Sequence, residues 1–207
     1  MNYRSTCLLI ECFYSWMGAI ERAQLRSGSV VMVTGASGGV GSASIALLKH
    51  KGCTIIAVTS SMHKSAYLES LGANHVLLGV KGFHKDPLLA EGVDMVIECT
   101  GEPTFDNAYR SLKPEGTLVL VGNTTNASAK LPIGLTILKS LKVVGSDSIS
   151  RAALSSLFTF MTENNLRPHI DEIISLTTKE VENAHKSLVE KGSRGRTVIQ
   201  VSQDTWK

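Results

Sequence analysis

Long apolar runs are missing from this sequence, as are paired cysteines, clustered histidines and basic stretches interleaved with aromatic residues. Cys7, Cys12, Cys53 and Cys99 stand far apart and form no C-x-x-C pair, so a compact structural zinc site or redox dithiol is excluded. Such cysteine usage fits a reduced, cytoplasmic setting. His50, His63, His75, His84, His169 and His185 show no H-x-x-H or H-E-x-x-H spacing and read as surface or turn residues. The apolar patch within Met1 to Ile20 is interrupted by Glu11 and is too short and polar for a signal peptide or membrane span. The net charge of +3 is spread along the chain, so no nucleic-acid partner is expected. Asn123-Thr124-Thr125 and Asn126-Ala127-Ser128 match the glycosylation pattern but, with no secretory signal, read as loop. No internal repeat or low-complexity segment is present.

Glycine, by contrast, is concentrated. Val30 to Ser42 reads V-V-M-V-T-G-A-S-G-G-V-G-S: a β-branched apolar run, four glycines within seven residues, then a helix-like run to His50. Such a strand, turn and helix leaves the first helical N–H groups unpaired at the positive end of the helix dipole, where a pyrophosphate can sit.

At 207 residues and 43% hydrophobic, the chain can form one sizeable core with an appendage. A helix with one apolar face is expected over Leu8 to Arg26, and strands over Val30 to Thr34, Thr54 to Thr59, His75 to Leu78, Val93 to Glu98, Thr117 to Val121 and Leu141 to Gly145. Between them fall helices over Ser42 to His50, Lys64 to Leu71, Thr104 to Leu112 (stopped by Lys113-Pro114) and Pro132 to Lys139, with a poor helix or loop at Phe83 to Glu91 broken by Pro87. Continuously apolar strands alternating with helices are buried on both faces, which predicts a doubly wound parallel α/β sheet. A helix over Ala152 to Asn164 precedes a C-terminal β-α-β extension: a strand near Ile173 and Ile174, a helix from Thr178 to Glu190 capped by Thr177 or Thr178, and a strand from Arg196 to Val201. Asn165 to Asp171, with Pro168, is the expected boundary.

The glycine turn fits two templates. Ala36-Ser37-Gly38-Gly39-Val40-Gly41 is the A-x-G-x-x-G dinucleotide form, whereas Thr34-Gly35 to Gly41 also fits the short-chain dehydrogenase form. The short-chain form needs a Tyr-x-x-x-Lys pair as acid catalyst. Tyr109 and Lys113 have that spacing but lie too early in the chain, and Cys99-Thr100-Gly101 replaces the expected Asn-Ala-Gly turn. The sequence instead resembles the medium-chain dehydrogenase/reductase superfamily along nearly its whole length. The motifs are V-T-G-A-S-G-G-V-G, S-L-G-A (Ser70 to Ala73), G-V-D-M-V-I-E-C-T-G (Gly92 to Gly101), S-L-K-P-E-G-T-L-V-L-V-G-N (Ser111 to Asn123), L-K-V-V-G-S (Leu141 to Ser146) and G-R-T-V-I (Gly195 to Ile199). Pro132 to Ser148 is most similar to the quinone-oxidoreductase and acryloyl-CoA-reductase-like members.

This resemblance implies a Rossmann fold binding a nicotinamide dinucleotide at Gly35, Ala36, Ser37, Gly38, Gly39, Val40 and Gly41. The end of the second strand, Thr59-Ser60-Ser61-Met62-His63-Lys64, has hydroxyls and a cation but no carboxylate, which favours NADPH, with Ser60, Ser61 and Lys64 around the 2′-phosphate. The alternative is a Ser60 or Ser61 helix cap with Lys64 solvated. By the resemblance, Cys99, Thr100, Gly101, Gly122 and Asn123 line the ribose and nicotinamide, and Arg196 reaches the pyrophosphate or is a solvated strand end. Cys99 reads as a small core residue and Glu98 as a buried structural one; no catalytic or metal-binding residue is assigned. The resemblance divides the chain into an interdomain helix remnant (1–27), the NADP-binding domain (28–168) and a segment (169–207) that packs on a GroES-like catalytic domain, which lies outside this sequence. An apolar surface on that last segment is therefore expected. Three readings follow: part of an NADPH-dependent reductase of activated C=C bonds or carbonyls, part of a zinc-type alcohol dehydrogenase, or a non-catalytic NADPH-binding or dimerising module. Leu141 to Ser146, as an edge strand, is expected to pair across a homodimer.

Overall fold

The computed structural model describes residues 16–79, 81–146, 151–166, 169–190 and 194–201. Six strands form one parallel sheet: β1 (Val30–Val33), β2 (Thr54–Thr59), β3 (His75–Leu78), β4 (Val93–Glu98), β5 (Leu112–Leu120) and β6 (Lys142–Gly145). Their spatial order is β3-β2-β1-β4-β5-β6, so the chain winds outward from β1 in one direction and then, from β4, in the other. That reversal between β1 and β4 opens a crevice at their carboxyl ends. A separate parallel pair, β7 (Ile170–Ser175) and β8 (Arg196–Gln200), is the expected C-terminal extension.

Alternation along the strands explains the layering. Val31, Val33, Ile55, Ala57, Met95, Ile97 and Val119 face one way, against Ile45 and Leu48 of α1 (Gly39–His50) and Leu68 of α2 (Ser65–Leu71). Their neighbours Met32, Ile56, Val58, Val96 and Leu118 face the other way, against Phe105, Ala108 and Tyr109 of α3 (Glu102–Arg110). Burial on both faces is why the inner runs Val31 to Val33, Ile55 to Val58, Met95 to Ile97 and Leu118-Val119 carry no polar residue. The short α4 (Ile133–Lys139) is tied to α3 by Tyr109 Oη and Thr136 Oγ1, 2.7 Å apart. Beyond it, α5 (Arg151–Glu163) packs Ala153, Leu157 and Met161 on the outer face of α1. The last helix, α6 (Thr178–Val189), joins β7 to β8 and is capped by Thr177 Oγ1, which accepts from the Glu180 amide at 3.3 Å.

Two expected elements differ. The expected helix over Leu8 to Arg26 lies outside the described residues before Trp16; from Trp16 to Arg22 it is a π-helix, with Ala23 N–H bonded to Gly18 O at 2.9 Å. Gly18 there lies against the sheet, where a Cβ would come within 2.3 Å of Val119 Cγ1. Lys113-Pro114 does not stop α3, which ends at Arg110; it lies inside β5. The register there jumps from Val93↔Leu112 to Met95↔Thr117, and the irregularity accommodates a proline that has no N–H to give. Asp94 fastens this bulge, since its carboxylate pairs with Lys113 and accepts the Val30 amide at 2.8 Å.

Candidate functional site at the carboxyl end of the sheet

The site begins where β1 runs into the glycine turn. Thr34 N–H donates to Ile97 O at 3.0 Å and Ala36 N–H to Val58 O at 3.1 Å, so the turn is anchored to the flanking strands β4 and β2. Gly38 caps α1 without a side-chain bond, and Ser42 N–H makes the first helical bond, to Gly38 O at 2.9 Å. The amides of Gly39, Val40 and Gly41 therefore have no hydrogen-bond partner among the described residues. Three open donors at the positive end of a twelve-residue helix suit an anion. Gly41 is fixed by close approach: a Cβ there would lie 2.4 Å from Gly35 O.

Ser37, in the middle of the turn, is held from two sides. Lys64, beyond the end of β2, donates from Nζ to Ser37 Oγ at 3.3 Å, and Gly195, before β8, donates its amide to Ser37 O at 2.9 Å. Lys64 is only 8% exposed, so it is not the solvated cation of the alternative reading. Burial, the largest cause, and the Arg194 charge lower its pKa, while Asp171 opposes them. Ser61 makes no side-chain cap; its amide instead donates to Thr59 Oγ1 at 3.3 Å. Thr59 is buried and Ser60 exposed.

The opposite wall is built by a carboxyl group. Glu98, at the end of β4, is fully buried, and its Oε1 accepts four bonds: Thr34 Oγ1 at 2.6 Å, the amides of Thr100 and Gly101 at 2.8 and 3.0 Å, and Thr104 Oγ1 at 2.8 Å. Oε2 has no partner among the described residues. The Cys99 amide completes the corner by donating to Thr34 Oγ1 at 3.0 Å. This network sets the path of Cys99-Thr100-Gly101, and Thr124 then bonds the Thr100 carbonyl through its amide and hydroxyl, both at 2.9 Å, placing Gly122 and Asn123 alongside. Burial, reinforced by Glu98, pushes the Cys99 thiol up, away from nucleophilic chemistry.

The residues expected at Gly35 to Gly41, Thr59 to Lys64, Cys99 to Gly101 and Gly122-Asn123 thus all fall at the carboxyl ends of β1, β2, β4 and β5. Arg196 opens β8, exposed and one residue beyond Gly195. The partners of Ser37 and Glu98 are not legible in the sequence, because Thr34, Thr104 and Gly195 are brought in by the fold and leave no local pattern. A cleft of about 480 Å³ opens near the amino end of β4, where three of its cations are occupied: Arg110 pairs with Asp106, Lys113 with Asp94, and Lys139 donates to the Arg110 and Leu112 carbonyls. Among the described residues there is no group of three or more His, Cys, Asp or Glu side chains that could hold a metal ion. None of the described helices is long and apolar enough to cross a membrane.

Known proteins share this arrangement. The zinc-binding dehydrogenase family profile matches residues 39–163. Acryloyl-coenzyme A reductase of Metallosphaera sedula is 32% identical over 181 residues, covering 87% of this chain and 53% of that protein. Quinone oxidoreductase-like protein 2 of Bos taurus is 28% identical over 214 residues, covering 96% and 61% respectively. The crystal structure of AibC superposes with a TM-score of 0.84 at 30% identity, over 96% of this chain and 56% of that one. The chain spans between half and two thirds of the length of these relatives. Sheet order, glycine turn and matched span agree with the resemblance read from the sequence: the chain belongs to the medium-chain dehydrogenase/reductase superfamily, and the part it shares with its relatives is that superfamily's C-terminal cofactor domain.

Proposed function

We propose that this chain binds NADPH across the carboxyl ends of β1, β2 and β4, as the cofactor-binding portion of an oxidoreductase that delivers hydride to a C=C bond conjugated with a carbonyl. Enoyl thioesters and quinones are the substrate classes, in keeping with the acryloyl-coenzyme A reductase and quinone oxidoreductase-like relatives. NADPH, when bound, supplies the hydride; the chain's own residues hold and orient it. The amides of Gly39, Val40 and Gly41 meet the pyrophosphate, Cys99 to Gly101 with Gly122 and Asn123 line the ribose and nicotinamide, and Arg196 reaches the pyrophosphate from β8. Electrostatic stabilisation of the developing enolate falls to groups outside these residues or to the cofactor ribose.

The observation that carries the choice of NADPH is the contact between Lys64 Nζ and Ser37 Oγ, which brings a buried cation from the end of β2 onto the turn. No carboxylate stands between Thr59 and Lys64 to repel a 2′-phosphate. The test is Lys64→Glu, with Lys64→Ala as a milder companion. Titrated by nucleotide fluorescence, both variants are expected to bind NADPH at least about tenfold more weakly than wild type, a difference of roughly 1.4 kcal/mol. NADH affinity is expected to be retained and doubles as the control for folding; equal losses for both nucleotides refute the assignment. The same reading includes a homodimer paired through β6, the exposed edge of the sheet.

A further inference from the structure

The C-terminal unit is not a passive appendage. Gly195 and Gly38 form a parallel bridge, with the Gly195 amide bonded to Ser37 O at 2.9 Å, so the start of β8 lies along the glycine turn itself. Gly195 is itself packed closely against the residue that precedes β7. Gly195 has φ +85°, and a Cβ there would come within 2.7 Å of His169 O. The His169 ring in turn packs on Tyr67 of α2, with centroids 4.8 Å apart. One residue earlier, the Arg194 amide donates to Asp171 Oδ2 at 2.7 Å, which fixes the backbone from which the Arg194 side chain projects.

We propose that Arg194 is a second cation for the 2′-phosphate of NADPH, presented to the Lys64 side of the turn by the docked β7–β8 unit. This rests on the NADPH reading above. Charge arithmetic supports it: Lys64 lies in the fields of both Asp171 and Arg194. Asp171 offsets part of the positive charge there, and Arg194 adds a second cation beside Lys64. Arg194 is exposed, so its guanidinium is available for two parallel bonds to phosphate oxygens. The glycine beside it keeps this backbone in place, since a Cβ at 195 would meet His169 O at the start of β7 and strain the unit that presents the arginine.

The experiment is a parallel titration of wild type, Arg194→Gln and Arg194→Lys with NADPH and with NADH, at low and at physiological salt. Arg194→Gln is expected to weaken NADPH about tenfold while leaving NADH unchanged. Arg194→Lys is expected to recover part of the loss, and the wild-type preference for NADPH to shrink as salt rises. Thermal unfolding of Arg194→Gln should match wild type, because the exposed side chain supports no packing. Equal NADPH affinity in wild type and Arg194→Gln overturns the proposal, as does an equal loss for both nucleotides, which would mark a pyrophosphate or purely structural role. If wild type binds neither nucleotide, the functional reading itself fails and this inference with it, an outcome distinct from the other two.

Discussion

At the scale of single residues, Glu98 is the point on which the crevice depends. One oxygen of its fully buried carboxyl serves two backbone amides and two hydroxyls. Removing it leaves the Thr100 and Gly101 amides unpaired at the start of α3, and a buried donor without a partner costs about 1–3 kcal/mol. Glu98→Ala is therefore expected to lower stability by roughly 3 kcal/mol in urea denaturation. A loss under about 1 kcal/mol would show that water or a neighbour replaces the carboxyl, contrary to this account. The burial of Glu98 was legible in the sequence, because an apolar strand precedes it and Gly101 follows. Its partners were not, since Thr34 and Glu98 meet only when β1 and β4 pair across 64 residues. Lys64 divides in the same way. Its position after β2 is legible, but its burial and its bond to Ser37 depend on the fold.

At the scale of elements, β1, β2 and β4 are legible almost to the residue because burial on both faces writes them as apolar runs, whereas β5 is legible only from Thr117 and begins at Leu112. Helix ends were less legible. The segment 113–114 reads as a helix stop by proline alone, yet the bulge that admits Pro114 into β5 depends on Asp94 and on the partner strand. Likewise the spacing of Met17, Ile20 and Leu25 reads as a helix, but the close approach of Gly18 to Val119 accompanies a π-helical path. The edge strand β6 carries the prediction at this level. Val143 is 39% exposed there, and beside it α4 exposes Ile133, Ile137 and Leu138. Such an edge with an apolar flank is a template for pairing with a second copy. Arg22 Nη1 already bonds Gly145 O at 3.1 Å, so pairing is expected to centre on Lys142 to Val144. Light scattering at micromolar concentration should give twice the chain mass of 22.2 kDa; a single-chain mass contradicts the proposed pairing.

At the scale of the whole molecule, sheet order and glycine turn converge on one crevice, and the C-terminal β-α-β unit closes against it. An apolar surface is expected from residue 169 onward, and Leu176, Leu188, Val189, Ile199 and Val201 are exposed there. What the pattern of residues does not disclose is that the same unit docks on the glycine turn through the Gly195 amide, a contact made by backbone atoms and therefore silent in any side-chain motif. The central claim is that this molecule recognises the 2′-phosphate of a nicotinamide dinucleotide. Titration of the wild-type chain with NADPH and NADH under identical conditions tests it most directly. The account predicts saturable binding of both, with NADPH tighter by about tenfold or more; NADH bound as tightly as NADPH, or more so, would contradict it.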